Sequence, residues 1–175
     1  MPAAPTGRPA RVPDAGVPAS GFAWGSRLLD DAPPGEVRLD PAGQLAVRQV
    51  LARYAFALDH GDLDTLADVL ADDVTWTAVI AGVARQGPLE GREAVVDLVR
   101  EAARAETDQR RHHLTDVVLR RADQDAAVVW ASLLVTSSAD GRAAVATTGF
   151  LLVTVRRTED GWRIARLLLG LDAAP

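Results

Sequence analysis

Chemistry in this chain has few possible sources. There is no cysteine, one tyrosine (Tyr54), three histidines (His60, His112, His113), and a lysine-free set of 19 basic residues, all arginine. Without thiols there is no thiolate nucleophile, no disulfide framework and no cysteine-bound metal, so proton transfer has to come from oxygen and imidazole. A neutral imidazole, with an unperturbed pKa of about 6.5, is suited to taking a proton from the carbon next to a carbonyl at neutral pH. His112 and His113 are adjacent in a strand-forming run, so only one of them can face an interior. Asp116 follows at a spacing that puts it, with Leu114, on the face of His112, where it would orient or charge-stabilise the imidazole. Two neighbouring histidines that point apart make a poor metal site, and neither a metal nor a cofactor is expected.

The elements that carry these residues can be read from periodicity and turn chemistry. Asp40-Pro41 is an N-cap with proline at the first helical position. Leu45, Val47, Val50, Leu51, Tyr54 and Leu58 then recur at helical spacing as far as Gly61. Tyr54 lies on the apolar face of this helix, either as ordinary core or as a functional donor. Asp59 is about 140° around the helix from Tyr54, so the two share no face; it either binds the amides of the following turn or reaches a pocket through distortion of the helix end. Asp62 caps a short second helix to Val69 or Leu70, and Ala71-Asp72-Asp73 turns into a strand, Val74–Ile80. A hairpin or loop over Gly82–Gly87 leads through Pro88 to a third helix, Arg92 to about Ala105. Four strands follow: 112–121, 126–137, 143–156 and 162–169. The turns between them carry Asp-Gly pairs or aspartates, which mark hairpins.

Helices followed by a meander predict an α+β fold: a curved antiparallel sheet closed by about three helices into a cone with one interior pocket. Trp76, Trp130 and Phe150 are candidate walls for a hydrophobic ligand, and Trp24 and Trp162 are structural. Residues 1–40 hold seven of the ten prolines and show no period. They read as a disordered or draped arm, whose Phe22, Trp24, Leu28 and Leu29 could dock over a cavity mouth; the domain proper is 41–175. The net charge of -5, with arginines scattered along the chain, excludes a nucleic-acid footprint. No apolar run is long enough for a membrane span, and the N-terminus lacks a signal-like apolar core, so a cytoplasmic, soluble protein is expected.

Three local motifs carry a family resemblance: Ala52-Arg53-Tyr54 with Asp59-His60-Gly61-Asp62-Leu63-Asp64, Leu70-Ala71-Asp72-Asp73-Val74-Thr75, and Arg111-His112-His113-Leu114-Thr115-Asp116. Over about residues 41–171 the chain resembles the nuclear transport factor 2-like superfamily, in particular its SnoaL-like branch of polyketide cyclases, ketosteroid isomerases and dehydratases. In the isomerases the tyrosine at the Tyr54 position donates to a developing enolate. Their general base and protonated acid would fall near Ala78 and Gly149, which transfer no proton. The cyclases' aspartate is sought among later strands, where this chain has Trp130, Ser132, Thr148 and Gly149. Limonene epoxide hydrolase relatives need an Asp-Arg-Asp set, which does not assemble. The bile-acid dehydratases' Tyr, Asp and His fall on Tyr54, Asp59 and His112. Scytalone dehydratase also has a histidine at the His112 position, but its second histidine corresponds to Trp130 or Ser132.

The resemblance therefore implies a cofactor-independent dehydratase or cyclase acting on a hydrophobic, polyketide-like small molecule, catalytic at Tyr54, His112 and Asp59 and lined by Trp76, Asp116, Trp130 and Phe150. It also implies a homodimer. Two alternatives stay open: a non-catalytic binding or dimerisation module, and a cavity that templates a pericyclic or spirocyclising reaction by shape.

Overall fold

The computed structural model describes residues 35–81 and 84–174. The docking expected of Phe22, Trp24, Leu28 and Leu29 lies outside the described residues. Helix α1 (Pro41–His60) begins as its cap signals predict: Asp40 Oδ1 accepts the amide of Gly43 at 2.6 Å. It stops at Gly61, whose φ of +62° is disfavoured for residues with a Cβ. Asp62 then caps α2 (Leu63–Val69) by accepting the Thr65 amide at 2.9 Å.

Strand β1 (Leu70–Ile80) starts four residues earlier than its apolar run suggests, absorbing Ala71-Asp72-Asp73 through an irregular register against the last strand. The segment expected as a hairpin or loop contributes a strand, β2 (Ala84–Glu90), paired antiparallel with β1 as in the first of those two readings. Helix α3 (Arg92–Ala105) precedes the meander of β3 (Gln109–Ala122), β4 (Ala126–Ala139), β5 (Arg142–Thr158) and β6 (Gly161–Leu171). Asp140 and Gly141 both have positive φ, +51° and +72°, as the tight turn between β4 and β5 requires. Asp123 Oδ1 accepts the amides of Asp125 and Ala126 between β3 and β4.

The six strands form one curved, open sheet in the order β2-β1-β6-β5-β4-β3, with the helices on one face in the expected α+β cone. The sheet is mixed, because β1 pairs parallel with β6 while every other pair is antiparallel. That pairing joins the two ends of the domain and has no local signal. Extra residues interrupt the registers in β3, β5 and β6, which is how long strands are bent. Inside the curve, Leu51, Leu66, Leu70, Leu151, Ile164 and Leu167 are essentially fully buried between α1, α2 and the sheet. Leu45, read as part of that face, is exposed instead. Residues 35–39 run along the end of β3: the Gly35 amide donates to Arg120 O, the Arg38 amide to Ala122 O, and Leu39 joins the core.

Candidate functional site

The last turn of α1 delivers Asp59 to the edge strand β3. Its Oδ1 accepts two hydrogen bonds from one residue, the backbone N–H of His112 at 2.8 Å and His112 Nδ1 at 2.7 Å. An ionised carboxylate only accepts, so the proton on this contact sits on Nδ1, and a neutral His112 keeps a free lone pair on Nε2. No hydrogen bond engages Nε2 among the described residues. The pair is mostly shielded, with side-chain exposures of 12% for Asp59 and 21% for His112. The main-chain carbonyl of Asp59 is held as well, by Gln109 Nε2 at 3.1 Å and Arg111 Nη1 at 3.2 Å. Three side chains of β3 thus converge on one residue of α1. Asp59 does not bind the turn amides.

A groove of about 340 Å³ opens beside this pair, between α1 and β3. Arg48, Leu51, Ala52, Ala55, Phe56 and Asp59 line it from the helix, and His112, Leu114 and Val117 from the strand. The helix residues recur every three or four positions, a second stripe beside the core-facing one, and this spacing is the signal that would have found them. Sequence reasoning followed only the core stripe and missed Arg48, Phe56, Gln109 and Arg111.

The other candidate residues do not meet there. Tyr54 is 5% exposed within the main core and is not among the groove's walls. Burial alone holds its hydroxyl well above the ordinary phenol range, so it stays protonated. His113, next to His112, points to the opposite face and binds Thr136 Oγ1 at 3.2 Å. Asp116 leaves the His112 face because β3 carries an extra residue between Thr115 and Val118, where Asp116 has φ +49°. Past that bulge the alternation flips, and Asp116 Oδ2 instead accepts from Ser132 Oγ at 3.0 Å.

Trp130 and Phe150 stack on each other, ring centres 6.3 Å apart, on the sheet face away from the helices, with Val128, Leu152 and Leu168. Trp76 packs against the helix-side core from β1, with three strands between it and β3 in the sheet. Gly149, at the position of the isomerases' acid, has no room for a side chain, since a Cβ there would collide with the Gly170 carbonyl. Among the described residues no cluster of three His, Asp or Glu side chains could hold a metal, and no helix is long and apolar enough to cross a membrane.

A family model described as a SnoaL-like domain matches residues 42–167. No curated protein matches the sequence. Among solved structures, the chain is similar to Aln2 from a Streptomyces species, at 26% identity and a TM-score of 0.64 over 77% of this chain and 94% of that one. An NTF2-like protein with a cystatin-like fold from Novosphingobium aromaticivorans is 25% identical, with a TM-score of 0.61 over 83% of this chain and 84% of the other. A protein of unknown function with a cystatin-like fold from Nostoc punctiforme shares the fold at 17% identity, with a TM-score of 0.67 over 81% and 98%.

Proposed function

Because the chain belongs to the SnoaL-like family, we propose that it is a cofactor-independent acid/base enzyme of the dehydratase or cyclase type, acting on a hydrophobic carbonyl-bearing small molecule. The observation that supports this is the Asp59–His112 pair at the wall of an apolar groove. Asp59 holds the imidazole in the Nδ1–H form and stabilises the imidazolium that forms on proton uptake, which is the arrangement general-base catalysis needs. In dehydration, His112 Nε2 removes the proton alpha to the carbonyl. The electrons form the C=C bond as the beta hydroxyl departs, and the same imidazolium returns its proton to that hydroxyl to release water. In cyclisation the electrons left on the alpha carbon attack a second carbonyl carbon of the molecule, its C=O π pair moves onto oxygen, and the imidazolium returns its proton to that alkoxide. Tyr54, the third residue implied by the resemblance, lies in the core outside the groove's walls and takes no step in this scheme.

Both reactions begin with removal of the alpha proton, so the test needs no knowledge of the natural substrate. A panel of hydrophobic beta-hydroxyketones and beta-diketones is incubated in D₂O, and alpha-deuterium incorporation is followed by NMR. Exchange above the buffer rate by the wild type, and its loss in His112→Gln, is the expected result. No exchange by the wild type, or undiminished exchange by the variant, removes the acid/base reading. A binding module would take up such compounds unchanged, a reading favoured by the lack of a carboxylate at Ala78 and Gly149. A shape-templating catalyst would tolerate loss of His112. Homodimerisation through the outer sheet face, where Trp130 and Phe150 stack, belongs to the same proposal; a monomer by light scattering removes it.

A further inference from the structure

The groove is charged at both ends and apolar between them. At one end stands the Asp59–His112 pair; at the other stands Arg48, eleven residues earlier on the same helix, or roughly 16 Å along its axis. The Arg48 guanidinium is tethered at the groove by Nη2, which donates to the Val117 carbonyl at 2.8 Å. That bond leaves further N–H donors of the planar fork unused by it. Arg38, Arg53, Arg92, Arg100, Arg110 and Arg156 each pair with a carboxylate. Arg48 makes no such ion pair among the described residues. Leu51, Ala52, Ala55, Phe56, Leu114 and Val117 lie between the two ends, and Phe56, 52% exposed, gives the groove an apolar lip.

From this polarity we infer that the groove takes an elongated apolar carboxylate, its acid group on Arg48 and its reacting carbon at His112. The orientation follows from charge. An arginine fork matches a carboxylate with two parallel hydrogen bonds, whereas the Asp59 carboxylate repels an acid group from the opposite end. A molecule that entered reversed would bury its charge against Asp59 and leave Arg48 facing an alkyl or aryl tail. This deepens the proposed acid/base function and rests on the same groove, with Arg48 as the specificity-determining residue.

The test separates the anchor from the chemistry by measuring binding alone. Decanoate and decanamide, matched in shape and differing in charge, are titrated calorimetrically into the wild type, Arg48→Gln, Arg48→Lys and His112→Gln, with thermal melts to confirm that each variant folds. The wild type is expected to prefer decanoate at least tenfold. Arg48→Gln should remove that preference by weakening decanoate while leaving decanamide unchanged, and Arg48→Lys should restore part of it. His112→Gln should keep the preference, so that loss of alpha-proton exchange and loss of carboxylate selection are read independently. Equal binding of the two probes by the wild type, no binding of decanoate, or a preference that survives Arg48→Gln would each overturn the inference.

Discussion

A single oxygen, Asp59 Oδ1, holds His112 by both its backbone amide and its ring, at 2.8 and 2.7 Å, across 53 residues of sequence. The two bonds have separable consequences. The ring bond sets the tautomer, so long-range ¹⁵N NMR of the wild type should show that whenever the His112 ring is neutral its proton is on Nδ1, and Asp59→Asn should weaken that bias. Alpha-proton exchange should fall about 100- to 10,000-fold in His112→Gln and by a smaller factor in Asp59→Asn. Asp116→Asn, altered on the other side of the sheet, should leave exchange within about twofold of the wild type. The backbone bond bears on stability: Asp59→Ala leaves a half-buried amide unpaired and should cost about 1–3 kcal/mol in denaturant unfolding. A fully stable Asp59→Ala would show that water replaces the carboxylate at no cost.

Tyr54 should behave as a core residue. Burial, with no hydrogen bond contributing, raises its pKa, so Tyr54→Phe is expected to leave stability unchanged or raise it by up to about 1 kcal/mol. Exchange activity should fall less than about tenfold, well short of the His112→Gln loss. A collapse of exchange to the His112→Gln level would mean that the hydroxyl reaches the bound molecule and that the site extends from the groove into the core.

Two glycines should differ in their reasons for intolerance and in their magnitudes. At Gly61 a Cβ meets nothing within 4 Å, and only the φ of +62° opposes it; Gly61→Ala should therefore cost about 1–2 kcal/mol. At Gly149 a Cβ would run into the Gly170 backbone, and the strands have to separate to admit it. Gly149→Ala should cost more than Gly61→Ala, about 3 kcal/mol or above. Thermal melts compare the two, and the reverse order would contradict the close approach of β5 and β6.

Stability should fall in acid. Hydrogen bonds from the Thr65 amide and hydroxyl hold Asp62 below the usual carboxylate range, the Arg156 guanidinium does so for Asp73, Ser137 for Asp108, and the amides of Asp125 and Ala126 for Asp123. Each folded-state pKa is depressed, so between it and the unfolded value of about 3.9 the unfolded chain binds more protons. The stabilisation is complete above the unfolded pKa and is lost as pH falls through the folded one. Melting temperatures from pH 6 to 2 should decline mainly below about pH 4. Asp62→Asn with Asp123→Asn should flatten that limb, since asparagine can still cap and turn without titrating. An unchanged acid limb would place the proton uptake elsewhere.

Much of the frame was legible in the sequence because its causes are local. Asp40-Pro41 and Gly61 delimit α1 through capping and a positive φ, Asp140-Gly141 makes its hairpin through two positive φ values, and strict alternation requires His112 and His113 to take opposite faces. Contacts whose cause is not local were beyond it. Pairing β1 with β6 joins residues some ninety positions apart, and one inserted residue in β3 sends Asp116 away from His112 against the alternation. Asp59 meets His112 only because the end of α1 packs across the edge strand, where Gln109 and Arg111 grip its carbonyl. Residue type marked the histidines as able to move a proton, and the family resemblance singled out His112 and Asp59; tertiary packing decided that these two are hydrogen-bonded to each other, and that Arg48 shares their groove while Tyr54 is enclosed in the core.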